Sequence, residues 1–446
     1  MKNTFNYLKN AFQNLLSETK QNPILIALVF VLISIPLRYA IGSIAVGLFV
    51  IITLITYKKS NSSVSRILIL PFVLYILMGL SLFWSHGNKE TLTALSKTLP
   101  FLLIPICFII IPNFSGLQRH KIVAYFSHGM VLFSVYYLLK AVIRYAINQD
   151  TAVFFYHELV TEDVNAIHVS VYMTVASFYF ITKSDKNIFD KIAIVTLMIQ
   201  IILLSSKNII LIFFGLLLFY FFKNYRFYSI KNILKTGLVL TVILVIVFTG
   251  KIKDRFWIEI ESNLEENTIN RTIGNEDNKV FNVSIRQAWN QEKFKANDYF
   301  TGTAFRVYQI RIFIEMLQDD FNIWTGYGLN ASQFRVVEKG IEHQVYLGDT
   351  THEGYQNKNF HNQYIQFFAE LGIFGLFLLL TMLFLNVKNA LKTKDFVFIS
   401  FAVLMISLFL TESFLARQRG VIFFIVFYCL FNTAIDDNQN TKKVTI

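Results

Sequence analysis

Charge is scarce in this chain, and cysteine is scarcer. Only 16% of its 446 residues are charged, against 54% hydrophobic residues with 46 Phe, more apolar material than a soluble core can hide. That shortage excludes an ordinary soluble domain and makes the chain an integral membrane protein. Two cysteines, Cys107 and Cys429, both fall in apolar runs; they are expected to be small packing residues rather than a disulfide pair. A cleavable leader is not expected, because residues 1–22 are polar and mildly amphipathic and no small-residue cleavage site follows. Internal repeats and low-complexity tracts are absent.

What is there is a succession of apolar runs. A helix needs about 20 apolar residues to cross the hydrocarbon, and the hydropathy pattern predicts about twelve such spans. They lie near residues 23–40, 42–57, 67–84, 98–112, 122–143, 166–182, 189–204, 208–222, 233–250, 363–386, 395–411 and 420–434. The connections expected inside, among them Lys58, Lys59, Arg66, Arg119, Lys121, Lys183, Lys186, Lys191, Lys388, Lys392 and Lys394, hold most of the Lys and Arg. The short outer connections hold few: Arg38, Lys89, Lys97, Arg144, Lys207, Arg417 and Arg419. This bias predicts cytoplasmic termini. It also accounts for the +12 net charge, which is therefore no sign of nucleic-acid binding.

The expected organisation is an N-terminal cytoplasmic tail 1–22, nine spans in 23–250, a large outer loop 251–360, three spans in 361–434 and a cytoplasmic tail 435–446. The loop's charges nearly balance, so it reads as a small soluble module. In "AFRVYQIRIFIEMLQDD", Phe305, Ile310, Phe313, Ile314 and Leu317 recur at helical spacing, and "TGYGLN" reads as a turn.

On the outer face this topology gathers polar residues from distant stretches: Lys207, Arg306, Arg311, His361, Asn362, Glu412 and Arg417. Ionisable groups at a membrane boundary tend to face a cavity or a partner. Cations with one histidine suit binding an anion and moving a proton. Each also has a plainer reading. Arg306 and Arg311 lie five apart and need not share a helix face; either could pair with Glu315 or Asp319. Lys207 could snorkel, and His361 could be a helix-start histidine bonded to backbone. Glu370 is expected to hydrogen-bond inside the bundle.

"FHNQYIQFFAELGIFGLFLLL" resembles the signature of the O-antigen ligase and polymerase superfamily, in which a His-Asn pair and a Leu-Gly-x-x-Gly helix close the large periplasmic loop. "FRVYQIRIFIEMLQDDFNIWTGYGLNASQF" is similar to that family's loop motif. On that match Arg306 takes the place of the family arginine, Gly326 and Gly328 the glycine pair, and His361 the proposed base. "LSSKNIILIF" resembles a Ser-Arg-Gly segment, with Lys207 and Asn208 where Arg and Gly are usual. "LFWSHGNKETLTALSKTLPFLLIPICF", with Trp84 and Ser85, "HVSVYMTVASFYF", with His168 and Tyr172, and "ESFLARQRGVIFF" resemble further segments of the same family.

The resemblance implies an all-α membrane glycosyltransferase of the GT-C type with one large, mostly helical periplasmic loop, in the inner membrane. It implies an undecaprenyl-diphosphate-linked glycan donor and, as acceptor, a lipid A core or a growing glycan. Arg306, Lys207 and Arg417 would clamp the diphosphate, His361 would take the acceptor's proton with inversion, and Arg311, Asn362, Glu412 and His168 would contact substrate. No metal or other cofactor is expected, in line with the lack of an Asp-x-Asp or His-rich cluster on the outer face. A ligase and a repeat-unit polymerase share these motifs. A transporter or flippase is the rival from another class; against it stands the nine-to-three split of spans around an external loop.

Overall fold

The computed structural model describes residues 17–57, 65–161, 164–224, 250–270, 273, 279–350 and 352–433. Its elements are α1 (Pro23–Ser34), α2 (Tyr39–Ile55), α3 (Ile69–Leu80), α4 (Asn88–Thr98), α5 (Pro100–Ile110), α6 (Gly116–Asn148), α7 (Ala166–Thr182), α8 (Ile188–Leu203) and α9 (Lys207–Asn224). Then follow α10 (Gly250–Leu264), β1 (Phe281–Val283), β2 (Asp298–Phe300), α11 (Gly302–Asp320), α12 (Gln333–Glu342), α13 (Gln363–Thr393), α14 (Phe396–Phe409) and α15 (Gln418–Asn432). The architecture is that of an all-α membrane protein.

Among the described residues, four helical stretches are long and apolar enough to cross a membrane: Arg66–Phe83, Asn88–Ile110, Gly116–Asn148 and Gln363–Thr393. Beside them lie five shorter apolar helices, α1, α2, α7, α14 and α15. The expected span 233–250 falls outside the described residues except at its last position. The stretch expected at 98–112 starts earlier, at Asn88. Its polar first part, α4, has Glu90 in the first turn and Lys97 in the last, each where the helix dipole favours its charge.

Helices α7 and α15 are apolar around their whole circumference and buried almost throughout, the mark of central helices. Tyr172 and Phe423 meet between them, ring centroids 4.8 Å apart. The segment 279–360 has its own core of Phe300, Phe305, Tyr308, Phe313, Tyr355 and Phe360. Helices α11 and α12 make up only part of it, the rest being turns and irregular chain, and β1 and β2 pair in parallel, Phe281 opposite Asp298. Three-residue strands are too short to show a period in sequence.

The loop is fastened to the bundle through backbone. Helix α13 breaks at Gly372, where φ is +65°, and the chain at 323–328 fills the gap. Tyr327 N donates to Ala369 O at 2.8 Å, Gly328 N to Glu370 O at 2.9 Å and Ile373 N to Ile323 O at 2.8 Å. A side chain on Gly372 would collide with the Trp324 carbonyl, and one on Gly326 would come 2.6 Å from Ala369 O. The corner between α3 and α4 grips the same strip: Trp84 Nε1 donates to Thr325 O at 2.9 Å, and Thr91 Oγ1 to Leu329 O at 2.7 Å. The separate motif segments are thus one joint.

Candidate functional site

His361 precedes α13 in a left-handed conformation, φ +47°. Its N–H donates to Asn359 Oδ1 at 3.0 Å. Asn362 is the N-cap, its Oδ1 accepting from Tyr364 N at 3.0 Å and Ile365 N at 3.1 Å. Its amide donates to Leu410 O at 3.3 Å, so the histidine is pinned against the turn after α14.

That turn carries Glu412. His361 Nδ1 lies 3.3 Å from Glu412 Oε2, with the histidine side chain 30% exposed and the glutamate 7%. Burial opposes the Glu412 charge. The hydrogen bond from His361 and the charges of His361, His168 and Arg306 overcome that opposition and hold the carboxyl below its ordinary value. A carboxylate only accepts, so this contact makes Nδ1 the donor. In a neutral ring it leaves the Nε2 lone pair as the base.

Arg306 enters from the first turns of α11. Its Nε donates to Thr411 O at 2.9 Å and an Nη to Gly302 O at 2.8 Å. Burial presses the guanidinium below its ordinary value, and Glu412, Glu259 and Tyr156 oppose that. Glu259 on α10 reaches Lys207 Nζ at 3.2 Å and accepts from Thr303 N at 3.0 Å. Burial would raise its carboxyl; Lys207 and Thr303 bring it below its ordinary value.

Asn208 shows what a glycine there could not do. Its amide donates to Ser407 O at 2.9 Å and Thr411 Oγ1 at 2.7 Å, and its carbonyl accepts from Ser407 Oγ at 2.7 Å. It therefore fixes the start of α9 to the turn whose carbonyl holds Arg306.

Of the residues expected at the site, His361, Asn362, Glu412, Arg306 and Lys207 gather around residues 407–412. Arg311 is not brought there. It pairs with Glu315 at 2.8 Å and donates to Gln291 O at 2.6 Å, the plainer of its two readings. Five positions along a helix turn it away from Arg306. Arg417 is exposed at the start of α15. His168 is buried behind Phe414, rings 4.4 Å apart, and its Nε2 makes no hydrogen bond. Glu370 accepts from Gln366 inside the bundle. Among the described residues no three His, Cys, Asp or Glu side chains form a group that could hold a metal.

Sequence reasoning missed Glu259, Tyr156 and Lys358. Lys358 Nζ lies 5.9 Å from the centre of the Phe305 ring and 5.1 Å from that of Tyr355. The Phe305 ring meets the His361 ring edge-on at 5.7 Å. Only spacing from His361 could have drawn attention to this lysine. A cavity of about 730 Å³ lies apart from these residues, between the α1–α2 turn, α6 and the start of α15, with Arg38, Tyr137, Lys140 and Arg419 in its lining.

Compared with known families, residues 192–380 match the family described as O-antigen ligase. Over that stretch the kinship with the O-antigen ligase and polymerase superfamily is shown. It holds Lys207, Arg306 and His361 but stops before Glu412. The match supports membrane glycan processing of the ligase or polymerase kind. No curated protein matches the chain.

Proposed function

We propose, taking the O-antigen ligase match as premise, that this protein is a membrane glycosyltransferase. It moves a glycan from an undecaprenyl-diphosphate-linked donor to an acceptor hydroxyl at the outer face of the inner membrane, with both termini cytoplasmic and the large loop periplasmic. The observation that carries the reading is the buried Glu412 carboxylate on His361 Nδ1, with Arg306 bonded to the neighbouring Thr411 carbonyl.

Glu412 fixes the ring and its tautomer. His361 Nε2 takes the proton of the acceptor hydroxyl while the oxygen attacks the anomeric carbon from the face opposite the diphosphate. The new carbon–oxygen bond forms as the bond to the diphosphate breaks, and the leaving group departs with that electron pair. Arg306 stabilises the charge growing on it. Inversion follows from the single displacement. The acceptor is a lipid A core for a ligase or a growing glycan for a polymerase.

The test is glycan transfer in liposomes from a lipid-diphosphate oligosaccharide to candidate acceptors, with EDTA throughout, comparing the unchanged protein with His361→Ala. Losing a general base costs about 10²–10⁴-fold in rate. Full transfer by His361→Ala would remove the base assignment, and donor crossing the bilayer without transfer would favour a flippase. The acceptor consumed separates ligase from polymerase.

A further inference from the structure

Three cations stand near His361, and their circumstances differ. Lys207 is held by the Glu259 carboxylate at 3.2 Å. Arg306 spends two donors on the Thr411 and Gly302 carbonyls. Lys358 is laid over the faces of Phe305 and Tyr355. It sits three residues before His361 and on the ring next to Arg306 in sequence.

A ring face attracts an ammonium but satisfies none of its three N–H donors. Half-burying a lysine against such support strips part of its water without replacing it. Burial lowers the Lys358 amine below its ordinary value, with only the charge of Glu353 acting against it. The Phe305 ring that carries the ammonium also borders His361. An arriving anion would therefore meet a partly dehydrated ammonium beside the base, and its oxygens would satisfy donors that the protein leaves to a ring.

We propose that Lys358, rather than Lys207, is the lysine that binds a substrate phosphate, and that Lys358 and Arg306 together form the anion clamp of the site. This rests on the reading of His361 as the base at a diphosphate-leaving centre. The phosphate belongs to the donor's diphosphate. Lys207 instead serves the fold, balancing Glu259 and so holding α10 against the start of α9.

The clamp can be tested without turnover. The full-length protein in detergent is treated with an amine-acylating reagent, and the extent of labelling at Lys358 and Lys207 is read by peptide mass spectrometry, with and without inorganic pyrophosphate. Acetate and glucuronate serve as carboxylate probes. Pyrophosphate is expected to slow labelling of Lys358 about tenfold, the scale of one charge-assisted hydrogen bond, while leaving Lys207 unchanged. Acetate and glucuronate are expected to leave both unchanged.

His361→Ala keeps the protection, so a wrong base assignment and a wrong clamp give different results. Lys358→Gln is expected to weaken pyrophosphate inhibition of transfer about tenfold, and Lys358→Arg to restore most of it. Protection of Lys207 in place of Lys358 would overturn the proposal. So would protection of Lys358 by glucuronate alone, which would point to an acidic sugar. Pyrophosphate inhibition unchanged in a folded Lys358→Gln would overturn it as well.

Discussion

Lys207 and Lys358 are supported by different means. Lys207 is matched by a buried carboxylate from α10, some fifty residues away in sequence. Lys358 is matched by two aromatic faces, one from α11 and one from its own segment. The first arrangement is complete within the protein and the second is completed by an anion. Counting basic residues on one membrane face cannot tell these cases apart, because a cation's availability depends on which side chain the fold brings to it.

The comparison can be broken most severely at the arginine between the two lysines. Arg306→Ala is expected to lower transfer about 10²–10³-fold, as the loss of one donor to a developing anion does elsewhere, read as kcat with lipid-linked donor. An Arg306→Ala enzyme of unchanged kcat would leave Lys358 without a partner in the clamp.

The lysines themselves should separate in stability. Lys207→Gln strands the Glu259 carboxylate and should cost about 1–3 kcal/mol, whereas Lys358→Gln should change stability by less than about 1 kcal/mol. Thermal unfolding in detergent measures both. Adding Glu259→Gln to Lys207→Gln should recover much of the loss, and a double-mutant cycle gives the coupling. Equal effects of the two lysine changes would erase the distinction.

The pH dependence carries the same contrast in two separate windows, stability rising with pH in both. Glu259 and Glu412 have folded values below the ordinary 4.5, so the unfolded chain binds their protons more readily. Their contribution is present above pH 4.5 and is lost as pH falls through the lower folded values. Lys358 has a folded value below the ordinary 10.5, so the unfolded chain again binds the proton better and stability rises as pH climbs from the folded value toward 10.5. Unfolding curves of the unchanged protein minus Glu259→Gln should therefore show an acid step, and minus Lys358→Gln an alkaline rise.

The smallest expected effect on transfer is at Asn208. Asn208→Gly removes three hydrogen bonds to Ser407 and Thr411 and should cost about 1–2 kcal/mol. It should lower transfer only as far as it loosens the turn that holds Arg306; KM for the donor against kcat reports which.

Much of the site was legible because its signals are local. Asn362 before an apolar run announces a helix start, and the asparagine is the N-cap. The His-Asn order then places His361 at that boundary. "TGYG" reads as a turn from its own residues, but that the turn plugs the break at Gly372 was not readable, since the break is stabilised by backbone groups more than forty residues away, Tyr327 N and Gly328 N as donors and Ile323 O as acceptor. Arg311 looked like Arg306 in sequence and proved to serve Glu315. Glu259 and Lys358 gave no signal, one being an acid in a polar helix and the other a lysine in a polar loop.

The sequence by itself determined that the chain is a membrane protein, where most of its helices run and that a histidine and several cations share one face. Those properties follow from hydropathy and capping, which act over a few neighbouring residues. Only the tertiary structure decided that Glu412 orients His361, that Glu259 takes Lys207 and that Lys358 rests on rings. Such pairings depend on distances of a few ångström between residues far apart in the chain, and packing sets those distances.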